Sequence, residues 1–542
     1  MSAPLEGFTP WPAEFAERYR AQGFWRGESL GALSRRWARR FGEAIAVVEG
    51  ERRISYRDLD RLAEVRAAGL AGLGIGARDR VLVQLPNVAE FVVVFLALVR
   101  LGAVPVLTLP AHRRSELTHL AALSGAVAFV TADVVDGFDH RELAREVLAA
   151  APSVRHVLVA GEPGPFTALA DVVGDPAPGE DPAAGEVAVL LVSGGTTGKP
   201  KLIPRTHDDY AYNARASARV CGLGAEDVYL ACLPIAHNFP LACPGMLGTF
   251  GVGGTVVMCP APSPEVVFGL VARERVTVTA LVPPLARMLA DEAPWHDTDR
   301  SSVRLLQVGG AKLDADLARA IPRVLGWPVQ QVFGMAEGLL NYTRLTDPDD
   351  LVTGSQGRPL SAADEIRVLA PDGTPVPDGE IGELWTRGPY THRGYYRAAA
   401  HNATVFDADG FFRTGDLVRR LPTGHLVVEG RAKDVVNRGG ENVSAAELEE
   451  HLLTHPALAQ AAVIGLPDET LGELVAAVVT LAPDQRAPKL KQLKAFLLDR
   501  GLARFMHPDR LIVTDRMPLT AVGKIDKRAL VTSHDPREGT PR

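Results

Sequence analysis

Residues 193–200 read SGGTTGKP and follow the apolar run VAVLLV. The stretch offers backbone N–H groups, the hydroxyls of Ser193, Thr196 and Thr197, and one ammonium, Lys199. Small residues around a single lysine after a strand suit phosphate binding. A P-loop would need Gly, four residues, then Gly-Lys-Ser/Thr. Here three residues lie between Gly194 and Gly198, and Pro200 follows Lys199. Proline has neither the hydroxyl nor the N–H that a P-loop uses at that point. Any phosphate cradle here must follow another design; the ordinary alternative is a glycine-rich surface turn. Lysine is scarce: nine of the 58 basic residues. A lysine kept beside glycines, as in GKPK and TAVGKID, marks sites where a compact ammonium matters.

A chain of 542 residues exceeds one ordinary core and implies two or more domains. Residues 54 to 190 alternate helical and strand patterns. SYRDLDRLAEVRAAGLAGLG is a helix ending on glycine, RVLVQLP a strand, AEFVVVFLALVRLG a helix, and AVPVLTL a strand. RSELTHLAALSG and AVAFVTA repeat the pattern, which predicts a parallel sheet with helices on its faces. The alternation resumes through GGTVVMCP, VTVTALVPP, VRLLQVGG and VQQVFGMAEG. After about residue 360, short strands joined by Asp-Gly turns predict a barrel-like β subdomain. Near Arg431 to Asp434 a small unit begins, with a capping box at Ser444 and Glu447. The expected fold is α/β. A large core, residues 1–430, has parallel-rich sheets layered with helices plus the barrel-like unit. A small mobile α+β domain, residues 431–542, follows.

The chain is 46% hydrophobic and 23% charged, a globular balance, with a formal net charge of -7. That argues against general nucleic-acid binding. Cys221, Cys232, Cys243 and Cys259 form no C-x-x-C pair and read as reduced thiols of a cytoplasmic protein. The N-terminus carries no signal-peptide pattern. FVVVFLALVRLGAVPVLTL, interrupted by Arg100 and Pro105, reads as a buried helix and strand rather than a membrane span. A zinc reading of His237 with Cys232 and Cys243 lacks close ligand pairs.

Five segments stand in order: SGGTTGKPK, PIAHNFPLACPG, QVFGMAEG, FFRTGDL with GRAKDVVNRGGE, and PLTAVGKIDK. The set resembles the adenylate-forming superfamily of acyl- and aryl-CoA synthetases, peptide-synthetase adenylation domains and luciferases. HNFPLACPG, VGGAKL and VFGMAEGLLNYTRL are similar to the free-standing aryl-acid adenylating enzymes. The resemblance covers about residues 30 to 530. It implies that a carboxylate attacks the α-phosphorus of ATP, leaving an acyl adenylate and pyrophosphate. Such chemistry is positioning and electrostatics.

By the same resemblance, Ser193–Lys199 clamps the β- and γ-phosphates. Phe333 stacks on adenine beside Val332 and Gly334, with Gly310 and Ala311 allowing close approach. Glu337 binds Mg2+. Asp416, in what reads as a turn, accepts both ribose hydroxyls, and Arg431 adds a cation. Lys524 bridges carboxylate and α-phosphate during adenylation. Lys433 is the hinge that swings the small domain and admits a thiol. His237 gates the acyl pocket. Asn238 bonds the ring's ortho-hydroxyl, Phe239 lies along the ring, and Gly309, Ala311, Val332, Met335 and Leu340 complete the wall. Cys243 favours salicylate over 2,3-dihydroxybenzoate, since a thiol is a poor partner for a 3-hydroxyl. 2,3-Dihydroxybenzoate, 3-hydroxyanthranilate and 3-hydroxypicolinate stay open as alternative substrates. The acceptor is expected to be the phosphopantetheine arm of a separate aryl carrier protein in siderophore or antibiotic assembly, with a CoA ligase the main alternative. A monomer or homodimer is expected, with no membrane partner. A non-catalytic module of this fold is opposed by the intact Glu337, Asp416 and Lys524; a P-loop ATPase is opposed by Pro200.

Overall fold

The structure, a computed structural model, describes residues 4–176, 179–193, 199–431, 435–518, 525 and 527–535. The alternation of strands and helices builds two large sheets. One has seven strands, in the order Leu202–Thr206, Val187–Val192, Val104–Leu107, Arg80–Gln84, Ala128–Ala132, His156–Ala160 and Thr167–Ala168. All pairs are parallel except Val187–Val192 with Leu202–Thr206. The other sheet has nine strands. Its parallel centre runs Val329–Gly334, Leu305–Gly309, Val278–Leu281, Val228–Ala231, Thr255–Met258 and Ile45–Glu49. Antiparallel strands, Leu340–Tyr342 and Arg52–Ser55 among them, close both sides.

Local chemistry sets the element ends. The helix Tyr56–Gly72 starts where Ser55 Oγ accepts the Asp58 N–H at 3.0 Å. The helix Ala89–Leu101 ends on Gly102 in the left-handed region, φ 69°. It is buried all round, which its unbroken apolar run requires. Arg100 is buried with it. Its guanidinium donates to Ser34 Oγ at 3.0 and 2.8 Å and to the Asp60 carbonyl at 3.0 Å, so the charge is not stranded. No helix among the described residues is long and apolar enough to cross a membrane.

After residue 360 an antiparallel sheet takes its four strands in chain order: Glu365–Leu369, Ile381–Arg387, Phe412–Arg420 and Leu426–Arg431. The C-terminal segment builds a separate five-stranded sheet, from Val435–Arg438, Glu441–Ser444, Leu458–Asp468, Gly472–Leu481 and Arg510–Val513. The helices Ala445–Leu453 and Leu490–Asp499 pack on it around Leu448, Leu452, Leu493 and Leu497, all fully buried. Ser444 Oγ accepts the Glu447 N–H at 3.2 Å, as the spacing predicts. The Gly439–Gly440 turn of this unit reaches the core: a Cβ on Gly440 would lie 2.8 Å from Val282 Cγ1.

Candidate functional site

Most of the predicted residues follow the carboxyl ends of the parallel strands of the nine-stranded sheet, where open α/β sheets bind ligands. Gly309 ends the strand Leu305–Gly309 opposite Val332. A Cβ there would sit 2.6 Å from the Val332 carbonyl and 3.1 and 3.2 Å from the Phe239 ring. Glycine is what lets that ring lie against the strand end. Gly310 follows at φ 84°, and Ala311 is half-buried beside it.

His237 caps the short helix Asn238–Ala242, its Nδ1 accepting the Phe239 N–H at 3.3 Å. The side chain keeps an exposed surface although protein surrounds the ring closely, and desolvation holds the imidazole below its usual range. It is therefore a neutral imidazole at neutral pH. Asn238 is buried. Its Oδ1 accepts from Tyr210 Oη at 2.9 Å, and its Nδ2 donates to Cys243 Sγ at 3.4 Å. Cys243 Sγ donates to the Asn238 carbonyl at 3.4 Å and accepts from Asn213 Nδ2 at 3.8 Å. Burial pushes this thiol up to about 12, so it stays protonated. Phe239, Cys243, Val332 and Leu340 share one buried cluster, with Met335 packed against it. Phe333 instead packs half-buried on a second cluster with Leu339 and Val418, toward the antiparallel sheet.

Glu337 sits at the tip of a hairpin between Val329–Gly334 and Leu340–Tyr342. A Cβ on Gly334 would lie 2.8 Å from the Leu339 carbonyl, and one on Gly338 would strike Thr391 Cα at 2.4 Å. Both glycines are needed for the turn to close. Three contacts hold the tip. Tyr395 Oη donates to Glu337 Oε1 at 2.8 Å, the His392 N–H donates to the Glu337 carbonyl at 2.8 Å, and Arg205 Nη1 donates to the Ala336 carbonyl at 3.0 Å. Arg205 is fully buried and pairs with Asp209 at 2.8 Å. Among the described residues no group of three or more His, Cys, Asp or Glu forms a metal cage. A single placed carboxylate fits Mg2+, which takes one or two carboxylates and completes its shell with water and substrate phosphates.

Ser193 closes the base of the phosphate-loop candidate: its N–H donates to the Lys201 carbonyl at 2.9 Å, and its Oγ accepts the Lys201 N–H at 3.1 Å. The loop joins two antiparallel strands, whereas a P-loop joins a strand to a helix. Lys199 is exposed. Gly194, Thr196 and Thr197, the hinge candidate Lys433 and the catalytic candidate Lys524 lie outside the described residues.

RTGDL is not a turn but lies within the strand Phe412–Arg420. Gly415 takes φ 76°, and the register with Ile381–Arg387 shifts there, so a bulge re-aims the carboxylate. Asp416 is buried, its N–H donates to Thr414 Oγ1 at 3.0 Å, and it stands opposite Arg431 in the ladder.

Sequence reasoning missed Tyr210, Asn213, Tyr395 and Arg205. Tyr395 lies 58 residues beyond Glu337, with no local pattern to link them. Arg205 and Asp209 did carry a signal, opposite charges four apart at a helix start.

Comparison with known proteins identifies the family. The model of the AMP-binding enzyme family matches residues 34–396, and that of the AMP-binding enzyme C-terminal domain matches residues 447–524. The chain belongs to the AMP-binding enzyme family. It is 52% identical over 538 residues to a salicyl-AMP ligase / salicyl-S-ArCP synthetase of Mycobacterium tuberculosis, covering 97% of this chain and 94% of that protein. It is 51% identical over 526 residues to a 2,3-dihydroxybenzoate-AMP ligase of Bacillus subtilis, covering 97% of each. The apo structure of MbtA from Mycobacterium smegmatis superposes with a TM-score of 0.77 at 53% identity, over 98% of this chain and 100% of that one.

Proposed function

We propose that this protein is an ATP-dependent aryl acid–AMP ligase acting on salicylate. It forms salicyl adenylate and pyrophosphate, then transfers the acyl group to the phosphopantetheine thiol of a separate carrier protein. The observation that carries the reading is the hydrogen bonding of the buried Asn238. The amide is fixed between Tyr210 Oη and Cys243 Sγ. That leaves one lone pair on Oδ1 and one hydrogen on Nδ2 for an ortho-hydroxyl. Phe239 supplies an aromatic surface beside it, and the protonated Cys243 thiol offers little to a 3-hydroxyl.

Glu337 would hold Mg2+, which would offset charge on the triphosphate. Asp416 would take the ribose hydroxyls, and Ser193 to Lys199 the phosphates. Lys524 would act in adenylation, and Lys433 would let a unit of residues 431–542 reorient on a core of residues 1–430. Four free, buried cysteines suit a cytoplasmic setting. The deciding experiment is acid-dependent exchange of labelled pyrophosphate into ATP over a panel of aryl acids. Salicylate is expected to give the largest kcat/KM. Exchange that is best with 2,3-dihydroxybenzoate overturns the substrate, and none with any aryl acid overturns the function.

A further inference from the structure

The helix His207–Val220 presents two faces. Tyr210, Asn213 and Ser217 face the aryl pocket side, bonding Asn238, Ala242 and Tyr342. Tyr212, Arg215 and Arg219 lie on the opposite side, as their three- and four-residue spacing dictates. There they line a cleft of about 390 Å³, walled also by Phe24, Arg26 and Arg344. Four guanidinium groups thus converge on one concavity. Arg215 is anchored by the Phe24 carbonyl at 2.6 Å, and Arg344 by the Tyr342 and Pro359 carbonyls, both at 2.7 Å. Carbonyl partners orient these groups without neutralising them. Arg26 and Arg219 are exposed and make no ion pair or side-chain hydrogen bond among the described residues.

The nearby acids are committed elsewhere. Glu28 pairs with Arg36, while Asp347 accepts the Arg344 backbone N–H at 2.6 Å and pairs with His425 at 2.9 Å and Arg358 at 4.0 Å. Asp364 accepts from Tyr390 Oη at 2.6 Å and from the Ser361 N–H at 2.9 Å, and burial raises its carboxyl to about 7. Positive charge is left in excess. Burial, with repulsion from Arg26 and Arg219, pushes Arg215 down to about 10.

We propose that this cleft binds a phosphoryl anion carrying two or more negative charges. Guanidinium forks match phosphate oxygens in pairs. An anion here would relieve the repulsion that the fold leaves unpaired. The ring edges of Phe24 and Tyr212, 5.3 Å between centroids, give the cleft an apolar wall. The phosphoryl group can come from free pyrophosphate or from a nucleotide.

Calorimetric titration with pyrophosphate, and separately with ADP, tests the proposal on the full chain. The wild type is expected to show one site more than the double variant Arg26→Gln, Arg219→Gln. The remaining site should be unchanged, as should the variant's pyrophosphate-exchange rate. Arg26→Gln alone should weaken the extra site by roughly ten-fold, and added chloride should weaken it further. Pyrophosphate binding tighter than ADP at the extra site assigns the free anion, and the reverse order assigns the nucleotide. Equal stoichiometry in wild type and double variant overturns the proposal. Calorimetry reads binding whatever acid the enzyme activates, so this result stands apart from the assigned reaction.

Discussion

Cys243 and Asn238 bond each other, yet their replacement is expected to have different effects. A buried 3-hydroxyl facing the thiol loses water and gains a weak partner, at a cost of about 1–3 kcal/mol, or roughly five- to a hundred-fold. Cys243→Ser should narrow the proposed salicylate preference by that order, while Asn238→Ala weakens both acids because both carry the 2-hydroxyl. Comparing kcat/KM for the two acids checks this, and an unchanged ratio in Cys243→Ser removes Cys243 from the 3-position. At Glu337 the test is Tyr395→Phe. Losing a hydrogen bond to a charged group costs about 1.5–3 kcal/mol. The Mg2+ concentration for half-maximal exchange should rise by roughly ten-fold or more, with the KM for the aryl acid little changed. The sequence exposed Asn238, Phe239 and Glu337 because they sit in short contiguous motifs. It hid Tyr210 and Tyr395 because their hydroxyls reach the site across 28 and 58 residues of chain.

Glycines show how elements place these side chains. At Gly309 a methyl group would press on both the Val332 carbonyl and the Phe239 ring. The carbonyl belongs to a paired strand, so a methyl group displaces the strand end at Gly309 and with it the ring that packs there. Gly309→Ala should therefore raise the KM for the aryl acid by at least about ten-fold and leave the KM for ATP near normal. Equal losses for both substrates would place Phe239 outside the acid pocket. The strand–helix alternation was legible from residue 54 onward because short apolar runs alternate with longer segments of helical length, divided by Gly and Pro. The strand containing Asp416 was not, because Thr-Gly-Asp has the composition of a turn. Only pairing with Ile381–Arg387 makes it a bulge within a strand.

Across the whole molecule, the two packed regions meet where the Ser115 N–H donates to the Gly501 carbonyl at 3.3 Å. Glu116 is buried beside this contact. Burial raises its carboxyl to about 7, against the pull of backbone N–H groups of Arg113 and Ala503 and of the Arg113 charge. The folded state thus keeps a proton that the unfolded chain loses above about 4.5. Stability should fall as pH rises from about 4.5 to about 7, and Glu116→Gln should flatten that slope. Urea midpoints taken across the window check it; equal slopes in wild type and variant would show that Glu116 ionises freely.

The reach of the small unit's Gly439–Gly440 turn to Val282 bears on the two half-reactions. If residues 431–542 reorient as a body, Lys524 serves adenylation in one arrangement and is remote in the other. Lys524→Ala should then abolish most exchange yet leave thioester formation from supplied salicyl adenylate comparatively intact. Lys433→Pro should do the opposite, because a fixed φ restricts the swing while either resting arrangement survives. Single-turnover assays of each half-reaction separate these outcomes. Equal loss of both steps in Lys524→Ala would mean that the lysine acts in both arrangements. Normal transfer in Lys433→Pro would move the hinge away from residue 433.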